Sequence, residues 1–200
     1  MSNPEPPADG PCQTELVDFA HKPTIIGERI LLRPIVAGDA SAMLADIGDA
    51  EGRRLTGTHA TFTPDQIHRW TASRADTDDR LDLAVVESTT ERWLGEVVVM
   101  DWKPGNRSCG FRIALTADAR NQGFGTEATR LIVDYVFDEI DDPRVNRIEL
   151  EVYAFNRRAI SVYERVGFHR EGVLRQALHW DGEYVDAILM SIIRSDRANR

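Results

Sequence analysis

Cysteine is scarce in this chain. The two present, Cys12 and Cys109, cannot build a disulfide framework, and no CxxC or Cys/His spacing suggests a metal. Nowhere do about eighteen apolar residues run together, so no membrane-spanning helix is expected. The opening MSNPEPPADGPCQ has no basic stretch leading into an apolar one, so no secretory signal is read there and a cytoplasmic location is expected. A basic excess is missing too. The net charge of −9 argues against a nucleic-acid surface, and the same acidity suits a cationic partner.

What is present describes an ordinary globular chain, 42% apolar and 28% charged over 200 residues. That length supports one core. Residues 1–22, rich in Pro, Asp and Glu, read as a flexible tail, and residues 23–200 as a single domain. Ile25 to Ile35 mark a first strand, and Met43, Leu44 and Ile47 follow at helical spacing. Thr63-Pro64-Asp65-Gln66 is a helix start, with Thr as N-cap and Pro at the first helical position. Leu81–Val86 and Trp93–Met100 read as strands, the second forming a hairpin with Cys109–Leu115 through Lys103-Pro104-Gly105-Asn106. A helix is expected from Gly123 to Asp138, an alternating strand from Asn146 to Tyr153, and a short helix from Asn156 to Val166 stopped by Gly167. Two strands, Phe168–His179 and Tyr184–Ile193, close the chain around Asp181-Gly182. This order predicts an α/β (α+β) fold around a mixed, mainly antiparallel sheet flanked by helices.

The most informative segment is Arg120-Asn121-Gln122-Gly123-Phe124-Gly125-Thr126, between a strand and an amphipathic helix. Its glycines let the backbone approach a ligand, and the free N–H groups of a helix start favour an anion such as pyrophosphate. A plain glycine-rich helix start reads the same way. GFGTEA also matches a dinucleotide fingerprint, which would make the chain a nicotinamide-dependent oxidoreductase. Against that, Thr116 to Gln122 separate the strand from the first glycine, and the unit follows a hairpin deep in the chain.

The pattern R-x-x-G-x-G after a strand and opening a long helix resembles the pyrophosphate motif of the GNAT superfamily. Asn156 to Phe168 adds N-x-x-A-x-x-x-Y-x-x-x-G-F, a segment of the same superfamily. Glu171-Gly172-Val173-Leu174-Arg175, followed by Trp180-Asp181-Gly182-Glu183-Tyr184-Val185-Asp186, is similar to the branch of ribosomal-protein N-terminal acetyltransferases and spermidine acetyltransferases. The resemblance implies an N-acetyltransferase that moves acetyl from acetyl-CoA directly to a primary amine, without a metal. A protein N-terminus, a polyamine and an aminoglycoside are the acceptor classes it leaves open. A homodimer is among the expected states. A non-catalytic acyl-CoA sensor would share the motifs.

The resemblance also carries roles. Residues 120–126 cradle the pyrophosphate, and Asn156 bonds the coenzyme arm besides capping its helix. Tyr163 protonates the leaving thiolate, a phenol near pKa ~10 against a thiol near ~8.5. A backbone N–H around Ile113, Ala114 and Leu115 polarises the acetyl carbonyl. Relatives place a glutamate near the start of that strand, where this chain has Ser108-Cys109-Gly110. That leaves Glu96 and Asp101 on the neighbouring strand as candidate general bases, with His59 a further one. Acceptor contacts are expected from Gly48 to Ser73, and Trp70 reads as core. Cys109 reads as a small buried filler.

Overall fold

The computed structural model describes residues 19–140 and 144–197. Eight strands form one sheet in the order β1-β2-β3-β4-β5-β6-β8-β7. The strands are β1 (Ile25–Ile26), β2 (Ile30–Pro34), β3 (Leu81–Glu87), β4 (Trp93–Lys103), β5 (Ser108–Leu115), β6 (Arg147–Tyr153), β7 (His169–Trp180) and β8 (Glu183–Ile193). Every neighbouring pair is antiparallel except β5 with β6, which is parallel. The expected mixed, mainly antiparallel sheet is therefore present. The first strand is interrupted where a turn closes at Gly27, whose N–H donates to Ile30 O at 2.9 Å, giving β1 and β2.

Helices α4 (Phe124–Asp138) and α5 (Arg157–Val166) cover one face. Their Phe124, Ala128, Ile132, Val136, Ile160 and Val166 join Leu83, Val85, Val97, Val99, Ile148, Leu150 and Met190 in the main core. Alternation along each strand sends the next residues to the opposite face. There α1 (Ala40–Ile47) and α3 (Pro64–Ser73) close a smaller cluster of Ile35, Met43, Ile67, Ala84 and Val86. The expected cap of α3 is in place, Thr63 and Gln66 each bonding the other's backbone N–H. Between α1 and α3 lies α2 (Ala50–Thr56), a helix inside the region expected only to contact the acceptor. A last short helix, α6 (Arg194–Arg197), follows β8.

Cys12 and most of the expected tail lie outside the described residues. Of the last four residues of that tail, Phe19 and Lys22 are tied down while Ala20 and His21 are exposed. Phe19 is buried in the main core, and Lys22 Nζ donates to the carbonyls of Phe19, Thr77 and Arg80 at 2.6, 2.6 and 2.5 Å. Burying the aromatic ring removes apolar surface from water and fixes the segment. Cys109 is buried with a free thiol, as a filler would be.

Two irregularities shape the middle of the sheet. Register between β3 and β4 shifts after Val85↔Gly95 to Val86↔Trp93, which leaves Leu94 as a bulge. Gly95 takes φ +143°, and a Cβ there would stand 2.1 Å from Ala114 O. Second, β5 and β6 pair only from Ser108↔Arg147 to Gly110↔Glu149 and then separate. Beyond Gly110 the outer edge of β5 has no strand partner among the described residues.

Candidate active site

The separation of β5 from β6 opens a cavity of about 1530 Å³, lined from both faces of the sheet. On the α4/α5 side its wall includes Gly123, Gly125, Thr126, Asn156 and Tyr163. On the other side it reaches Asp46, Glu51, Arg53, Trp70, Glu96 and Arg112. The open edge of β5, Ile113 to Leu115, lies between them.

Gly123 is the N-cap of α4 with φ +89°, a left-handed conformation that costs glycine nothing, and no side chain caps the helix. The amides of Ala119 and Arg120 bond Thr116 O, and those of Thr126 and Glu127 bond Gly123 O. Among the described residues, the amides from Asn121 to Gly125 have no such partner. A run of open amides at the start of a fifteen-residue helix fits a pyrophosphate.

Of the residues expected to hold the coenzyme, Ile113, Ala114 and Leu115 line the cavity, as do Arg120, Asn121 and Thr126. Gln122 and Phe124 do not. Gln122 O accepts from Arg29 Nη1 at 2.8 Å, and Phe124 is a core residue beneath the Arg29 guanidinium. Arg120 turns away from the loop's amides, donating through Nε to Leu115 O at 3.0 Å and through Nη2 to Asp49. Asp49 also caps α2 by accepting from Gly52 N at 2.8 Å. Burial opposes its ionisation, but the bonds from Arg120 and Gly52 prevail and hold its pKa below the usual range. Asn156 caps α5, its Oδ1 accepting from Ala159 N at 3.2 Å.

Tyr163 is buried, with its ring edge-on to Phe111 at 6.3 Å and tilted against Phe168 at 5.8 Å. Its hydroxyl has no hydrogen-bond partner among the described residues. Burial alone pushes its pKa well above 10, so the phenol keeps its proton at any working pH.

Glu96 stands opposite Ala114 on β4, and its side chain is only 12% exposed. Oε1 accepts from Arg112 Nη2 at 2.7 Å, while Oε2 is buried without a partner. Burial raises its pKa; Arg112 opposes the rise and Asp82 adds to it. Asp101 is exposed at a bulge with φ +56° and does not line the cavity. His59 is exposed, its ring 4.9 Å from that of Trp180. Trp70 is partly buried against the smaller cluster and also lines the cavity.

Residues 29–169 match the family described as acetyltransferase (GNAT) domain. The chain belongs to that family. As a GNAT acetyltransferase it uses acetyl-CoA to acetylate nitrogen, and the sensor and dinucleotide readings fall away. Its relatives include an SPbeta prophage-derived uncharacterized N-acetyltransferase of Bacillus subtilis, 25% identical over 85% of this chain and 93% of that protein. The spermidine N(1)-acetyltransferase of Vibrio cholerae is 29% identical over 58% of this chain and 65% of its own length. The [ribosomal protein bS18]-alanine N-acetyltransferase of Salmonella typhimurium is 27% identical over 66% and 77%. In fold, this GNAT domain resembles a crystal structure of Vibrio cholerae spermidine N-acetyltransferase in complex with CoA and spermine, with TM-score 0.77, 21% identity and 86% and 99% coverage.

Two residues of this GNAT site do not stand out in the sequence. Asp49 has a signal: an Asp directly before Ala-Glu-Gly-Arg-Arg, with Gly57 closing the segment, is a helix with N-cap and C-terminal glycine. Asp46 has none. In sequence it is one more polar position on a short helix.

Proposed function

We propose that this GNAT enzyme transfers acetyl directly to a primary amine, with Glu96 accepting the amine's proton and Tyr163 supplying one to the departing sulfur. The observation that carries this reading is the shared cavity: a half-paired carboxylate on one side of the open β5 edge and an unbonded phenol on the other. Acetyl-CoA, when bound, supplies the activated acetyl group. Open amides at 121–125 suit its pyrophosphate, and the unpaired edge at Ile113–Leu115 offers an N–H to a carbonyl oxygen.

Raised pKa values suit both roles. A dehydrated carboxylate is a stronger base, and Glu96 Oε2 still has a free lone pair for an amine proton, directly or through water. The raised phenol is a weaker acid, but burial acts on sulfur in the same direction. Within this protein the Cys109 thiol is pushed up to about 12 by burial. That same inert, buried Cys109 supports direct transfer, since it cannot serve as an acyl-carrying nucleophile.

Free-thiol release from acetyl-CoA, measured across spermidine, an aminoglycoside and short peptides beginning with Ser, Ala or Thr, tests the reading. Turnover with an amine is the expected result. No amine-dependent thiol release, with acetyl-CoA still binding, would overturn it. Glu96→Gln is expected to lower kcat by about 10²-fold. The parent should lose activity as pH falls through the raised Glu96 pKa, because only the carboxylate accepts a proton. The variant should lack that acidic limb, and a retained limb would assign the base elsewhere.

A further inference from the structure

The loop before α4 has one arginine of its own, and that arginine is engaged elsewhere. Arg120 bonds Leu115 O and Asp49, whose carboxylate neutralises it. The cation that stands against the loop comes from another part of the chain. Arg29, in the turn between β1 and β2, donates from Nη1 to Gln122 O at 2.8 Å, and its Cζ lies 4.2 Å from the centre of the Phe124 ring. The same Nη1 is 3.4 Å from the place a Cβ on Gly123 would take. No carboxylate bonds this guanidinium among the described residues.

The turn that carries Arg29 is fastened to the start of α4. Glu127 Oε1, in the first turn of that helix, accepts from the backbone N–H of Arg29 at 2.8 Å and of Ile30 at 3.4 Å. Gly27 permits the approach, since a Cβ there would stand 2.6 Å from Glu127 Oε1 and 2.7 Å from Leu131 Cδ1. From the end of β3, Ser88 N donates to Arg29 O at 3.0 Å. The loop needs such support. Asn121 and Gly123, on either side of Gln122, are both left-handed, at φ +64° and +89°, and a residue with a Cβ holds that conformation at a cost.

The carbonyl that Arg29 takes belongs to the same peptide unit as the Gly123 N–H, and across a trans peptide the two point in opposite directions. With Gln122 O turned to Arg29, the Gly123 N–H points away from it, toward the cavity that Gly123 lines and Gln122 does not. A cation bonded to the oxygen polarises the unit and strengthens its N–H as a donor. It also sets a positive charge behind the run of open amides, where it attracts an anion. We propose that Arg29 is a positioning residue for the coenzyme's pyrophosphate, acting from behind the loop through the Gln122–Gly123 peptide. This rests on the reading of the amides at 121–125 as the pyrophosphate site. It also gives Gln122 and Phe124, the two motif residues that do not line the cavity, a common role: both hold Arg29.

The test is calorimetric binding to the full-length protein, with no acceptor present, of CoA, of 3′-dephospho-CoA and of pantetheine, the last read by displacement of CoA. Arg29→Met keeps an unbranched stem on Phe124 and removes the charge, whereas Arg29→Lys keeps the charge. Arg29→Met is expected to weaken CoA and 3′-dephospho-CoA alike, by about 10-fold, and to leave pantetheine within about 2-fold of the parent. Arg29→Lys should recover part of the loss. Both free variants should melt within about 4 °C of the parent, since only an exposed ring contact is given up. Three results overturn the inference. Parental CoA affinity in Arg29→Met leaves the guanidinium idle, equal weakening of pantetheine makes it a general support, and weakening of CoA alone places it at the 3′-phosphate. A parent that binds 3′-dephospho-CoA no more tightly than pantetheine overturns the pyrophosphate reading of the loop itself, and this inference with it.

Discussion

Tyr163→Phe is expected to lower kcat by about 10²-fold or more while leaving affinity for acetyl-CoA within about 2-fold. In free energy the loss is about 3 kcal/mol at the transition state and nothing in the ground state. The structure makes this a clean substitution. The ring packs on Phe111 and Phe168, contacts that phenylalanine keeps, and the hydroxyl bonds nothing that would be left orphaned. Stability should therefore hold, with Tm within about 2 °C of the parent. Stopped-flow measurement of thiol release together with calorimetric titration of acetyl-CoA checks both halves. A variant with parental kcat would mean that the sulfur takes its proton from solvent, and Tyr163 would revert to a packing residue.

Gly95→Ala should have the largest effect on folding. At φ +143° the added methyl carbon would stand 2.1 Å from Ala114 O and 2.8 Å from Leu115 Cα. Both are backbone atoms, so no rotamer change relieves the clash; strands β4 and β5 must separate. Strained backbone of this kind costs on the order of 1–3 kcal/mol before the lost pairing is counted. A total near 3 kcal/mol would lower Tm by about 6–12 °C in a chain of this length. Activity of the surviving folded protein should fall too, since Ala114 and Leu115 form the open β5 edge of the proposed site. Thermal denaturation followed by circular dichroism reads the first effect. Parental stability would show that the bulge at Leu94 relaxes freely and fixes nothing.

The two substitutions differ in how visible their sites are in the chain. Tyr163 lies in a helix whose cap, Asn156, and stop, Gly167, are written in local sequence, so its face follows from spacing alone. The glycine-bearing loop before α4 is equally legible, because what it offers a ligand is a run of consecutive backbone amides. Gly95 is not. Its φ follows from a register shift against β3, which depends on residues that only the folded sheet brings together. The same holds for the acids. Alternation places Glu96 on the right strand, but its bond to Arg112 crosses from β4 to β5. Asp101 is an equal candidate on sequence, and only the bulge at that end of β4 takes it to the exposed surface. The Asp46 carboxylate lines the cavity with no bonded partner among the described residues, and a missing partner cannot be read from a linear chain.

Asp49 holds two things at once: the first turn of α2 and the arginine of the phosphate loop. On the proposed reading of the cavity, whatever shifts one shifts the other, which would link the donor and acceptor pockets thermodynamically. Reciprocity then fixes a relation between them: the factor by which acetyl-CoA alters affinity for the amine equals the factor by which the amine alters affinity for acetyl-CoA. Cutting the shared carboxylate, as in Asp49→Ala, should bring that factor towards unity and make the order of substrate addition indifferent.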